Sequence, residues 1–207
     1  MPPGIPGRTD IEVVEGQTEE FQTDPQKAKQ LLEEAGAVGY EIKFLWRTDN
    51  EVNTKSKDVL VKALKEAGFK ATPVATTEAQ YTTERDDPKS PINLRAAGWC
   101  SDWPSGATWI PPLFQSTDVE NVGLGTNYAV FNEPSIDQKI KDVFEMPAEE
   151  QPDAWNALGE EILKEYLPVI PQWYTGVAQV HGSRIQGHYN DNTLGMPTFK
   201  NIWVSSE

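Results

Sequence analysis

Between residues 24 and 76 the apolar positions change period three times, and the changes divide the stretch into helix, strand, helix and strand. Ala28, Leu31, Leu32 and Ala35 recur at helical spacing. Asp24 can cap that helix, Pro25 suits its first position and Gly36 its end. In "YEIKFLW", Tyr40, Ile42, Phe44 and Trp46 alternate with more polar residues, the period of a strand. Val59, Leu60, Ala63, Leu64 and Ala67 return to helical spacing and stop at Gly68, and "FKATPVA" offers a second strand. Strand, helix and strand at this spacing predict a βαβ unit with parallel strands.

The pattern is less regular beyond it. Residues 77 to 87 predict a short helix, and "INLRAAGW" reads as a further strand. A loop region with Gly123, Gly125 and Asn127 follows. "NEPSIDQKIKDVFEM" predicts a helix with Ile136, Ile140, Val143 and Phe144 turned inward. "EEQPDAWNALGEEILKEYL" predicts another, with Trp155, Leu158, Ile162, Leu163 and Tyr166 on one side and Pro168 as its stop. "VIPQWY" and "VAQVHG" read as strands. The first 23 residues are rich in Pro, Gly, Glu and Thr, show no period, and read as a tail or linker. Helices and strands in this mixture give an α/β or α+β class.

Composition narrows the function. In 207 residues, 38% are hydrophobic and 10% aromatic, which fits a globular chain with a real core. The formal net charge of −14 argues against nucleic acid and against anionic membrane surfaces. A single cysteine can form no internal disulfide. No apolar run approaches the roughly 20 residues of a membrane span, and the start "MPPGIPGRTD" has no signal-peptide pattern.

The stretch "AAGWCSDWPSGATW", residues 96 to 109, concentrates the candidate chemistry. It holds three of the seven tryptophans, the only cysteine and one carboxylate, Asp102. A catalytic thiol at Cys100 would need a base and an electropositive setting. Asp102 stands two residues away, and His181 and His188 lie in no catalytic signature. The two histidines, seven residues apart, match no zinc spacing. With 32 acidic residues, pairs of carboxylates carry no information about glycoside chemistry. Catalytic, metal-binding and cofactor-binding residues are therefore expected to be absent. Two readings stay open for the stretch. In one, Trp99 and Trp109 are packing and Asp102 caps a turn. In the other, indoles and carboxylate together hold a cationic group.

The order of motifs resembles family 5 of the extracellular solute-binding proteins, the peptide- and nickel-type receptors of ABC importers. "DPQKAKQLLEEAG", "YEIKFLW" with "VLVKALKEAGFKATPV", "LRAAGWCSDWPSGATWIPPLFQS", "TNYAVFNEPSIDQKI" and "LGEEILKEYLPVIPQWY" carry the resemblance, over residues 24 to 183. It implies a C-terminal lobe of the type II periplasmic-binding-protein-like fold, a mixed sheet flanked by helices. Residues 1–23 would be a tail, 24–183 the ligand-binding lobe and 184–207 a segment returning toward an N-terminal lobe. It further implies that Asp102 takes a ligand's amino group, with Trp99, Cys100 and Trp103 lining the site by proximity. The implied partners are a small solute such as an oligopeptide, the importer's permease subunits and the N-terminal lobe. The implied location is extracellular, as a lipoprotein or in the periplasm. Some members carry a basic residue where this chain has Ala96, with Arg95 one position away. Sugar- or chelate-binding members of the same family, and a Cys–His thiol hydrolase, are the alternatives. The chain is shorter than members of the family and reads as part of a longer protein.

Overall fold

The structure, a computed structural model, describes residues 1–2, 4–9, 23–174, 178–191, 193 and 195–206. The fold divides into two compact units. One gathers residues 14–97 and 117–128, the other 1–13, 98–116 and 129–207.

The first unit is built on the βαβ element. Helix α1 (Pro25–Glu34) starts where Asp24 accepts hydrogen bonds from the N–H groups of Gln26 and Lys27, at 3.0 and 2.9 Å. Strand β1 (Glu41–Arg47) runs parallel to β2 (Lys70–Thr76), in a register that sets Glu41 beside Lys70 and Arg47 beside Thr76. Helix α2 (Glu51–Glu66) connects them, and its Asn50 side chain accepts from Asn53 N–H at 2.8 Å. Gly36 and Gly68 follow α1 and α2 with φ of 64° and 99°, a left-handed conformation that costs glycine little. Helix α3 (Glu78–Asp86) comes next.

The packing faces of α1 and α2 differ from those that periodicity suggests. Leu31 is largely exposed, and Val59 is 69% exposed. On α2, Leu60, Leu64 and Ala67 are half-covered as their spacing predicts, and Lys57 and Val61 join them where Val59 and Ala63 stay exposed. The reason lies at Lys57, whose ammonium sits 4.8 Å from the Trp46 ring centre. A cation over an indole face is favourable, and a lysine stem can cover apolar surface on its way there.

"INLRAAGW" forms no strand. Only Leu94 makes a parallel bridge, to Phe44. The Asn93 side chain replaces the ladder: its Oδ1 accepts from Lys43 N–H and its Nδ2 donates to Glu41 carbonyl, both at 2.8 Å. Once an amide side chain satisfies those β1 backbone groups, the following residues have no strand partner there.

On the opposite side of β1, Glu41 joins three partners. Its carboxylate lies 2.9 Å from Lys70 Nζ and 3.3 Å from Lys43 Nζ, and accepts from Thr72 Oγ1 at 2.8 Å. The Lys70 hydrogen bond, followed by that of Thr72, lowers the Glu41 pKa from 4.5 to about 2. A carboxyl whose folded pKa is depressed stabilises the fold above its unfolded pKa and loses that contribution as pH falls through the folded value. Denaturation midpoints are therefore expected to drop between about pH 4.5 and pH 2. Glu41→Gln is expected to flatten the profile in that window, and chemical denaturation at stepped pH measures it.

The second unit holds the main core. Helices α4 (Ile110–Phe114), α5 (Pro134–Glu145) and α6 (Gln151–Glu161) bring together Ile110, Phe114, Ile136, Ile140, Val143, Trp155 and Leu158, with Ile162 just beyond α6. Ile136, Ile140 and Val143 face inward as their spacing predicts, but Phe144 is 53% exposed. It presents its ring to Trp155 edge-on, with centroids 5.1 Å apart. After α6 the chain makes one π-helical turn, Ile162–Tyr166, closed by Leu167 N–H donating to Ile162 carbonyl at 3.0 Å. Tyr166 is consequently turned outward. Pro168 then ends the helix, as expected.

Residues 168–174 and 178–180 join no strand, although "VIPQWY" and "VAQVHG" read as strands in sequence; Val177 lies outside the described residues. Four two-residue strands follow. β3 (Ile185–Gln186) pairs antiparallel with β6 (Trp203–Val204), and β4 (Asn190–Asp191) with β5 (Met196–Pro197). No described residue from 168 onward is buried, and Trp173 is 76% exposed. At the other end of the chain Ile5 is buried and Met1 packs against the core. Of the expected tail, residues 10–22 lie outside the described residues.

Candidate functional site

The tryptophan-rich stretch is a loop that closes on itself. Trp99 Nε1–H donates to Thr108 carbonyl at 2.6 Å, joining the two ends of the loop. Trp109 Nε1–H donates to Ser101 Oγ at 2.7 Å. The Thr108 hydroxyl donates to Ser105 carbonyl at 3.0 Å. Ser105 Oγ accepts from Ala107 N–H at 3.2 Å and starts the single 3-10 turn Gly106–Thr108. Each indole thus contributes its polar edge as well as its area.

Gly106 ties the loop to the core. A Cβ at this position would meet Trp155 Cβ at 2.3 Å. Only the absence of a side chain lets the backbone approach the buried indole this closely.

Asp102 stands where the loop turns outward. Its carboxylate is exposed and has no hydrogen bond or ion pair among the described residues. It therefore caps no turn; Ser105 does that. A carboxylate held free of protein donors keeps its full capacity to accept hydrogen bonds from a ligand. Trp103 beside it is 53% exposed, Cys100 is exposed and Trp99 is half-buried. The four residues occupy one five-residue arc of the loop, and Trp99 serves as its anchor through the Thr108 bond. Cys100 makes no hydrogen bond to His181 or His188: those rings bond to Gly182 and Gln179.

Ser101 and Trp109 were not singled out as a pair by sequence. Ser101 is buried and adjoins Asp102. Only the eight-residue separation of a serine and a tryptophan signals the contact, and that spacing is common. Ser101→Ala removes the acceptor and leaves the Trp109 N–H without it. A loss of about 0.5 to 1.5 kcal/mol in stability is expected, read from the urea midpoint. Trp109→Phe together with Ser101→Ala is expected to cost less than the sum of the two single changes.

Arg95, one position from the site where some members of the resembling family carry a base, is engaged elsewhere in its own unit. Its Nε–H donates to Arg85 carbonyl at 3.0 Å, and burial lowers its pKa.

Comparison with known proteins decides the family. Residues 1–121 match the model of bacterial extracellular solute-binding proteins, family 5 Middle, over more than half of the 207-residue chain. The chain belongs to this family. Heme-binding protein A of Haemophilus influenzae is 24% identical to this family 5 chain over 195 residues, covering 91% of the chain and 34% of that protein. Among solved structures, the clavulanic acid biosynthesis oligopeptide binding protein 2 superposes with a TM-score of 0.82 at 16% identity. It covers 100% of this chain and 38% of its own. The Escherichia coli murein tripeptide binding protein MppA gives 0.75 at 20% identity, covering 100% of this chain and 39% of its own. These likenesses establish the periplasmic-binding-protein-like fold. This family 5 chain spans about a third to two fifths of the length of those relatives.

Proposed function

We propose that this chain is the ligand-binding lobe of a non-enzymatic solute receptor, and that Asp102 takes a positively charged amino group of the solute. The observation that carries the reading is the state of Asp102: an exposed carboxylate without a partner among the described residues, on a loop pinned by two indole N–H groups. A rigid loop presenting an unsatisfied charge has little ordering left to lose when a ligand arrives. Trp103 supplies an exposed flat face beside the charge, and Trp99 and Cys100 complete the wall. An ammonium against both carboxylate and indole gains the ion pair and the ring quadrupole together.

The solute class follows from the relatives. Two of the similar structures are named as an oligopeptide binding protein and a murein tripeptide binding protein. Peptides carry a free α-amino group, which is the chemistry Asp102 selects. In this reading residues 24–183 form the lobe and 184–207 return toward an N-terminal lobe that closes over the solute. The exposed Trp173, Phe199 and Trp203 give that second lobe an apolar surface to cover. The loaded receptor delivers its solute to the permease subunits of an ABC importer, outside the cytoplasm.

The test is a thermal-shift screen of the complete gene product against free peptides, sugars and metal chelates. A shift with amine-bearing peptides that Asp102→Asn abolishes is the expected result. Shifts confined to sugars, or unaffected by Asp102→Asn, overturn the assignment.

A further inference from the structure

Seven residues separate His181 from His188, yet the turn between them brings their rings to a centroid distance of 4.7 Å with an interplanar angle of 37°. We propose that these two imidazoles form a site for a divalent first-row transition-metal ion, apart from the Asp102 loop. The spacing in sequence gives no sign of it; the fold of the segment before β4 creates it.

Three observations support the site. The first is tautomeric state. His188 Nε2 lies 2.9 Å from Gln179 Oε1, and His181 Nδ1 lies 3.1 Å from Gly182 carbonyl. Both oxygens can only accept, so these two nitrogens carry the protons. That leaves His188 Nδ1 and His181 Nε2 as bare lone pairs, and neither has a partner among the described residues. A hydrogen bond from the far nitrogen to a carbonyl is the arrangement that orients metal-binding histidines and raises their basicity.

The second is distance. Two imidazoles on one ion, with metal–nitrogen bonds of about 2.0 to 2.1 Å at angles between square-planar and tetrahedral, have ring centres roughly 4.5 to 5.2 Å apart. The observed separation lies inside that range. The third is access. His181 is exposed and His188 half-buried, so an ion reaches the pair without unfolding the segment. The chain's net charge of −14 also raises the local concentration of cations.

Among the described residues no group of three or more His, Cys, Asp and Glu side chains comes together. The ion is therefore held by two nitrogens with its remaining positions filled by water. Such a site favours Cu²⁺ over Zn²⁺ and Ni²⁺, following the general order for nitrogen donors.

Cu²⁺ titration of the full chain, followed by calorimetry and electron paramagnetic resonance, tests the site. One equivalent of Cu²⁺ is expected to bind first, with superhyperfine coupling to two nitrogens. His181→Asn and His188→Asn are each expected to weaken that equivalent about tenfold or more and to remove one nitrogen from the spectrum. Circular dichroism checks that both variants fold, since neither ring belongs to a core. No binding in excess of that shown by the His181→Asn/His188→Asn double variant overturns the proposal, and so does a wild-type spectrum with oxygen ligands alone.

Discussion

Trp155→Ala is expected to cost about 3 to 5 kcal/mol of stability. The side chain is 0% exposed and lies among Ile110, Ile136, Ile140, Val143 and Leu158. Its truncation removes the largest buried side chain of the unit and leaves a cavity that helices on several sides must fill. Phe144 loses its edge-to-face partner in the same step. The indole N–H has no hydrogen-bond partner among the described residues, so Trp155→Phe sacrifices volume but none of the hydrogen bonds among them. It is expected to cost less than half as much as the alanine change. Urea midpoints of the two variants measure the difference. The Gly106 backbone lies against both Cβ and Cγ of Trp155; alanine keeps the Cβ but removes the indole from Cγ outward, which loosens the Asp102 loop on its inner side. The alanine variant is therefore expected to bind solute more weakly even at temperatures where it stays folded.

Asp102→Asn is expected to act in the opposite way, on binding and not on folding. The carboxylate has no partner among the described residues, so its neutralisation is expected to shift stability by no more than about 0.5 kcal/mol. Affinity for an amine-bearing solute is expected to fall by about 1.5 to 3 kcal/mol, the range for a hydrogen bond to a charged group. That corresponds to roughly 10- to 150-fold in dissociation constant. Asparagine keeps the size and one acceptor oxygen, so the loss reports the charge. An equal loss for a solute with no amino group would show that the loop itself had changed.

Much of the fold was legible because its elements carry redundant signals. α1 announces itself through Asp24, Pro25 and Gly36 as well as its apolar period, and the structure uses all three. The parallel β1–β2 pair follows from the helix between them. Sequence was less informative where one side chain takes over the work of backbone or of a neighbour. Asn93 occupies the β1 backbone groups that a third strand would have used. Lys57 lies over Trp46, and of the residues expected on that face Val59 and Ala63 are exposed while Leu60, Leu64 and Ala67 are half-covered. Phe144 and Tyr166 failed as core residues for a different reason: their rings meet Trp155 and Phe131 edge-on at the rim.

At the site, residue types were visible and their arrangement was not. Three indoles and one carboxylate within fourteen positions draw notice in any sequence. Which indole donates to which oxygen depends on how the loop folds over Gly106, and no periodicity encodes that. The histidine pair was hidden for the same reason, since both partners sit in a segment of turns and two-residue strands.

The measurement closest to the heart of this reading is calorimetry of the complete gene product with a mixed tripeptide pool, once with free amino termini and once N-acetylated. If Asp102 grips an ammonium, the free pool binds and acetylation weakens it about tenfold or more, with the difference absent in Asp102→Asn. Equal binding of the two pools by the unaltered protein would contradict it.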